Sequence, residues 1–244
     1  MKIKEVNYVD IKTFDKNLNG FTILQISDLH INKKTSKMQI KKLVDMCNSL
    51  DYNILVITGD IIDCKVKYIK DKLSILNSLK GKTYFISGNH DLVYGLKDLI
   101  KQLQNITYLD NSYEKIVYKN ETILLAGISD KFSKFFGHIR EEKKLLSILE
   151  KNKKKIFLAH QPKDYKLALK SNCDLFLCGH THGGQIWPFH YFVKIFQPFL
   201  NGLHYINDCP IYVNKGIGTW GIDYRYKANS EIALLRFTSE NTYN

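Results

Sequence analysis

A chain of 244 residues with 44% hydrophobic and 25% charged side chains can bury a substantial core, which excludes a disordered or fibrous architecture and makes one α/β domain over 1–244 the expectation. Lys and Arg number 36 against 24 Asp and Glu, a formal charge of +12, but the lysines are spread out with only short clusters such as 151–155 (KNKKK), so a solvated basic surface accounts for them and no specific nucleic-acid partner is implied. Five scattered cysteines with no CxxC pair, no apolar run near the roughly 20 residues that span a bilayer, and no signal-peptide core in the first residues make a cytoplasmic protein the expectation.

The first strong strand is 21–27 (FTILQIS), which hands Asp28 and His30 to the loop beyond it. Residues 35–50 place Leu43, Met46, Cys47 and Leu50 at helical spacing with lysines on the opposite face, the pattern of an amphipathic helix. A second buried strand, 53–58 (NILVIT), ends at Gly59 and Asp60. A helix over 68–79 and a strand over 83–86 lead to the loop Gly88-Asn89-His90-Asp91. After a helix over 95–104, the stretches 115–118 and 122–126 predict a hairpin with its turn at Lys119-Asn120-Glu121. A polar helix over 139–150 precedes strand 155–159 (KIFLA), which stops at His160, and Pro162 opens a short helix. Strand 174–178 (DLFLC) runs into Gly179-His180-Thr181-His182-Gly183-Gly184-Gln185, and strands at 210–213 and 231–237 complete the pattern. Ligands of open α/β sheets collect beyond the carboxyl ends of strands, and five strands here each end in His, Asp or Asn, which points to a single site.

Taken singly, these clusters have ordinary explanations. Asp28-x-His30 is a common spacing, Asp60 after a glycine suits a helix N-cap or turn, and Gly88-Asn89-His90-Asp91 suits a β-turn. GHTHGGQ is more specific, because two histidines one residue apart and bracketed by glycine can reach two neighbouring ions from one tight loop. Five of the 8 histidines (His30, His90, His160, His180, His182) follow strands directly or lie in these loops, and the ordinary explanations would all have to hold at once. Imidazole, carboxylate and amide donors without cysteine suit Mn, Fe or Zn rather than a structural thiolate site. More donors are present than one tetrahedral ion requires, so a two-ion centre with a bridging carboxylate is the economical arrangement.

The order Asp28-x-His30, Gly59-Asp60, Gly88-Asn89-His90-Asp91, His160 and Gly179-His180-x-His182 resembles the calcineurin-like metallophosphoesterase superfamily over nearly the whole chain. Within it, GHTHGGQ, His160-Gln161-Pro162 and Gly216-Ile217-Gly218 with Glu231-Ile232 are similar to the branch of membrane-associated bacterial phosphoesterases and transmembrane metallophosphoesterase-domain proteins. The resemblance implies a four-layer αββα sandwich of two mixed β-sheets flanked by helices. It implies that Asp28, His30 and His182 hold one metal ion, that Asn89, His160 and His180 hold the other, and that Asp60 bridges them. By the same resemblance His90 assists the leaving group with its ring oriented by Asp91, and a hydroxide between the ions attacks the phosphorus of a phosphomonoester or phosphodiester. A nuclease of the same superfamily and a noncatalytic interaction module on the same fold are the alternatives.

Two features lie beside the motifs. The apolar stretch 186–203 (IWPFHYFVKIFQPFLNGL), interrupted by prolines, reads either as a flap against the core or as a patch that touches a membrane or a lipid-like substrate, which would hold the protein at the inner face of a membrane. Arg225, in the glycine-rich final loop, is placed to clamp a substrate phosphate, since a guanidinium binds phosphate oxygens bidentately.

Overall fold

The computed structural model describes residues 5–13, 15–150, 154–188 and 190–239; positions 151–153 of the basic run and Phe189 of the apolar stretch lie outside them. In chain order the strands are β1 (Glu5–Thr13), β2 (Thr22–Ile26), β3 (Ile54–Ile57), β4 (Lys82–Phe85), β5 (Thr107–Tyr108), β6 (Ser112–Tyr118), β7 (Glu121–Gly127), β8 (Lys155–Leu158), β9 (Leu175–Cys178), β10 (Gly202–Ile206), β11 (Cys209–Val213) and β12 (Glu231–Ser239). The helices are α1 (Lys37–Asn48), α2 (Lys70–Leu76), α3 (Asn89–Tyr94), α4 (Leu96–Gln102), α5 (Glu142–Glu150), α6 (Tyr165–Lys170) and α7 (His190–Phe196).

Two six-stranded sheets result, ordered β1-β12-β2-β3-β4-β5 and β10-β11-β9-β8-β7-β6. Strands β2 to β5 run parallel, β12 is antiparallel to β2, and the second sheet is parallel from β11 to β7 with β10 and β6 antiparallel at its edges. Alternation along each central strand divides the core into three layers. Leu55 and Ile57 pack outward with Ile40, Leu43 and Leu73, while Ile54 and Val56 face Ile123, Leu125, Leu175 and Leu177 of the other sheet. Leu124, Phe157 and Phe176 pack outward with Leu145, Leu149 and Ala168. Helices, sheet, sheet and helices thus stack as the expected αββα sandwich, and each fully buried Leu or Ile contributes about 1.5–3 kcal/mol.

Boundaries moved where local chemistry outweighed periodicity. Helix α1 starts at Lys37 because Ser36 accepts from Gln39 N while Gln39 Oε1 accepts from Ser36 N, a reciprocal capping box. The helix expected over 68–79 shortens to α2, with a 3-10 turn at Val66–Tyr68 before it. The segment expected as the loop Gly88–Asp91 instead opens helix α3 at Asn89. Strands β1, β5 and β10 and helix α7 carry no readable signal in the sequence: β5 has two residues, β1 and β10 are edge strands, and α7 has no buried residue.

Candidate metal centre

The loops after β2, β3, β4, β8 and β9 meet at the seam between the sheets. Asp28 N donates to Gly59 O and His30 N to Asp60 O, each at 3.0 Å, which zips the first two loops together. Asp28, His30, Asp60, His180 and His182 all hold positive φ, at 51°, 45°, 53°, 72° and 52°. Few non-glycine residues adopt this region, at about 1–2 kcal/mol each, so five such side chains converging on one point mark strain held in place by the surrounding fold. The backbones also approach closely: a Cβ on Gly88 would collide with Asp60, and one on Gly179 with Ser27 and Asp28.

Asp28, His30 and His182 bring one donor atom each within 4.8 Å of one another; so do Asp60, His160 and His180, and so do His30, Asp60 and His90. His30 Nε2 lies 3.0 Å from His182 Nε2, which is 3.6 Å from Asp28 Oδ1. Asp60 Oδ2 stands between the groups, 3.7 Å from His30 Nε2 and 3.3 Å from His160 Nε2, and His180 Nδ1 is 3.1 Å from His160 Nε2. The cluster is a candidate binuclear metal centre.

The residues fit such a group on three counts. Asn89 lines the same cavity, and its Oδ1 is buried with no hydrogen-bond partner among the described residues. His160 Nδ1 donates to Thr58 O at 2.8 Å, which aims Nε2 at Asp60 and His180, the orientation of a ligating histidine held through its other nitrogen. Charge balance points the same way. Burial, together with the neighbouring imidazoles, holds His180 down at about 3 and His182 well below the usual histidine range, and burial lowers His30, so these rings carry the neutral form that ligates metals. Burial opposes the charge on Asp60 and on His160, yet their mutual attraction wins, lowering the carboxylate and raising the imidazole.

Two expected roles are corrected. The carboxylate that meets the His90 ring is Asp63, whose Oδ1 lies 2.8 Å from His90 Nδ1. Burial pulls the His90 pKa down, but the hydrogen bond it donates to Asp63 and the charge of Asp60 carry it above the ordinary value. Asp91 is turned away because it is the third residue of α3: it accepts from Gly88 N at 2.9 Å and from Ile61 N and Ile62 N at 2.8 and 3.1 Å, clamping the loop after β3 to the helix start. Burial and the nearby Asp60 raise its pKa to about 7. Arg225 does not face a substrate phosphate either. Its guanidinium donates to Gly218 O, His182 O and Ala228 O, and Nη2 lies 3.0 Å from His182 Nδ1, so it braces a ligand loop from behind. Gln185, the last residue of GHTHGGQ, donates to Trp220 O and Ile222 O and accepts from Trp220 N, fastening the 218–226 loop beside the cluster.

A cavity of about 620 Å³ opens over the cluster, lined by His30, Asp60, Asn89, His90, His180 and His182 together with residues of 184–197 and 220–222.

Comparison with known proteins agrees with this geometry. The family model for calcineurin-like phosphoesterases matches residues 21–184. An uncharacterized metallophosphoesterase of Helicobacter pylori strain J99 is 34% identical over 251 residues, covering 98% of this chain and 65% of that protein. A Danio rerio transmembrane protein with metallophosphoesterase domain is 32% identical, covering 93% of this chain and 55% of that protein. The chain therefore spans less than two thirds of either relative. Among solved structures, a dimetal phosphatase from Danio rerio superposes with a TM-score of 0.57 at 11% identity, covering 81% of this chain and 88% of that one, a likeness of fold. Among the described residues no helix is long and apolar enough to cross a membrane.

Proposed function

The chain belongs to the calcineurin-like phosphoesterase family, and from that premise we propose that it hydrolyses phosphomonoesters or phosphodiesters at a two-metal centre. The observation that carries this reading is Asp60 Oδ2 lying between two groups of buried donors, with His90 facing the same cavity. Asp28, His30 and His182 would hold one ion, Asn89, His160 and His180 the other, and Asp60 both. Bound Mn, Fe or Zn ions would supply Lewis acidity that polarises the phosphoryl group and lowers the pKa of water.

The chain's own residues do the rest. Hydrolysis joins a water oxygen to phosphorus and breaks the ester P–O bond, and the departing oxygen takes a proton. His90, held by Asp63, whose carboxylate favours the protonated ring, supplies that proton and regains one from solvent as the products leave. Asp91 keeps His90 at the mouth by fixing the start of α3. A place in the cytoplasm against the inner face of a membrane belongs to the same proposal; it draws support from five free cysteines and from the exposed Trp187, Tyr191 and Ile195 near the cavity.

The test is metal content together with turnover of nitrophenyl phosphomonoester and phosphodiester substrates in Mn²⁺. Close to two ions per chain is expected, with kcat lowered about 10²–10⁴-fold in His90→Ala at unchanged metal content, and both lost in Asp60→Asn. A metal-loaded wild type that turns over neither ester class would overturn the reading.

A further inference from the structure

Part of the cavity over the metal centre is lined by groups that phosphate chemistry does not need. Ile186, Val193, Phe196, Trp220 and Ile222 line the same cavity as the donor cluster. Phe196 and Ile222 are each 66% exposed and Trp220 60%, so the fold does not bury these side chains for its own stability. Helix α7, which carries Val193 and Phe196, has no buried residue, whereas a helix recruited to a core turns an apolar stripe inward. The wall is nevertheless fastened in place. Gln185 holds the backbone of Trp220 and Ile222 through three hydrogen bonds, so a residue of the ligand motif itself positions the apolar side chains. A second cavity of about 360 Å³, lined by Asn32, Lys33, Lys34, Asp63 and Asp223, adjoins the first at His30 and Gly221 and is polar.

We propose that the substrate is an amphiphilic phosphate ester: its phosphate sits at the donor cluster, an alkyl or acyl chain lies along the wall formed by Ile186, Val193, Phe196, Trp220 and Ile222, and its hydrophilic part turns toward the polar cavity. The inference rests on the phosphoesterase reading for the placement of the phosphate. Apolar surface fixed beside a charged cluster binds a ligand that carries both characters, and the larger volume lies within the roughly 300–1,000 Å³ of small-molecule sites. A sugar phosphate would leave the wall facing water, and a nucleotide would cover Phe196 or Trp220 with its base but gain nothing from a lengthening alkyl chain.

Of the chain's 2 tryptophans Trp220 lines this wall and Trp187 directly follows the lining residue Ile186, so the emission of Trp220 reports occupancy without any turnover. The Mn²⁺-loaded protein is titrated with alkylphosphonates from butyl to dodecyl, which cannot be hydrolysed at the C–P bond, below their micellar concentrations. The expected result is a blue shift and a dissociation constant that falls about two- to fourfold per added methylene. In Phe196→Ser and Ile222→Ser the step per methylene should shrink toward none, while Val117→Ser, on β6 and 70% exposed, keeps the wild-type series. All three positions are at the surface, so the variants retain the fold. Equal affinity for butyl- and dodecylphosphonate, or a series unchanged in both wall variants, overturns the proposal. Parallel turnover of short nitrophenyl esters separates the two readings: turnover with a flat series sinks the amphiphile alone, and a steep series without turnover sinks the phosphoesterase reading while the apolar subsite stands.

Discussion

Asp63 touches His90 and is itself a member of none of the three donor groups, so its replacement separates proton delivery from metal binding. In Asp63→Asn, kcat should fall roughly 10–100-fold while KM and metal content stay at wild-type values; a fall in metal content instead would make Asp63 a structural support. Arg225 acts on the other side. Its guanidinium braces the His182 loop, and Arg225→Ala should weaken metal affinity about 10–100-fold, read by titration of the apoprotein. The donors themselves were legible in the sequence because each follows a strand, and strands of βα units aim their ends at one place. Asp63 was not, since it lies three residues beyond Asp60 in no motif and reaches His90 only through the crossing of two loops. Asp91 misled for a local reason: adjacency in sequence suggested contact with His90, but position three of a helix turns a carboxylate back onto the helix's own first amides.

Helix α3 begins where the backbones after β3 and β4 press together, and Gly88 at its N-cap has no room for a side chain. Gly88→Ala should cost about 1–3 kcal/mol in urea denaturation and displace Asp60, so stability and metal affinity should fall together; loss of stability at full metal affinity would mean that the loop relaxes elsewhere. The central strands were readable because burial on both faces demands continuous apolar runs such as ILVI in β3 and LFLC in β9. The edge strands β1 and β10 face water on much of their surface and so keep mixed composition. The apolar residues of α7 pack into no core, which leaves the helical period without its usual polar counterface and explains why 186–203 showed no helix in the sequence.

Donors from both sheets converge at the seam: Asp28, His30, Asp60 and Asn89 from the first, His160, His180 and His182 from the second. Ions bound there would cross-link the two halves of the sandwich, so metal at 100 times its dissociation constant should stabilise the fold by about 2.7 kcal/mol, or about 5–11 °C in Tm for a chain of this size. Thermal scans in EDTA and in Mn²⁺ measure this directly, and superimposable curves would show that the seam holds without ions. The strand order carries a separate consequence. Because β12 lies between β1 and β2, the earliest strand described here to leave the ribosome has no neighbour until the latest one is synthesised. A nascent chain stalled before residue 231 presents the bare flank of β2 to other chains, an open edge of the kind that seeds aggregation. Arrival of β12 seals that flank and gives β1 its partner, so a single pairing event protects the half-built sheet and anchors its edge strand.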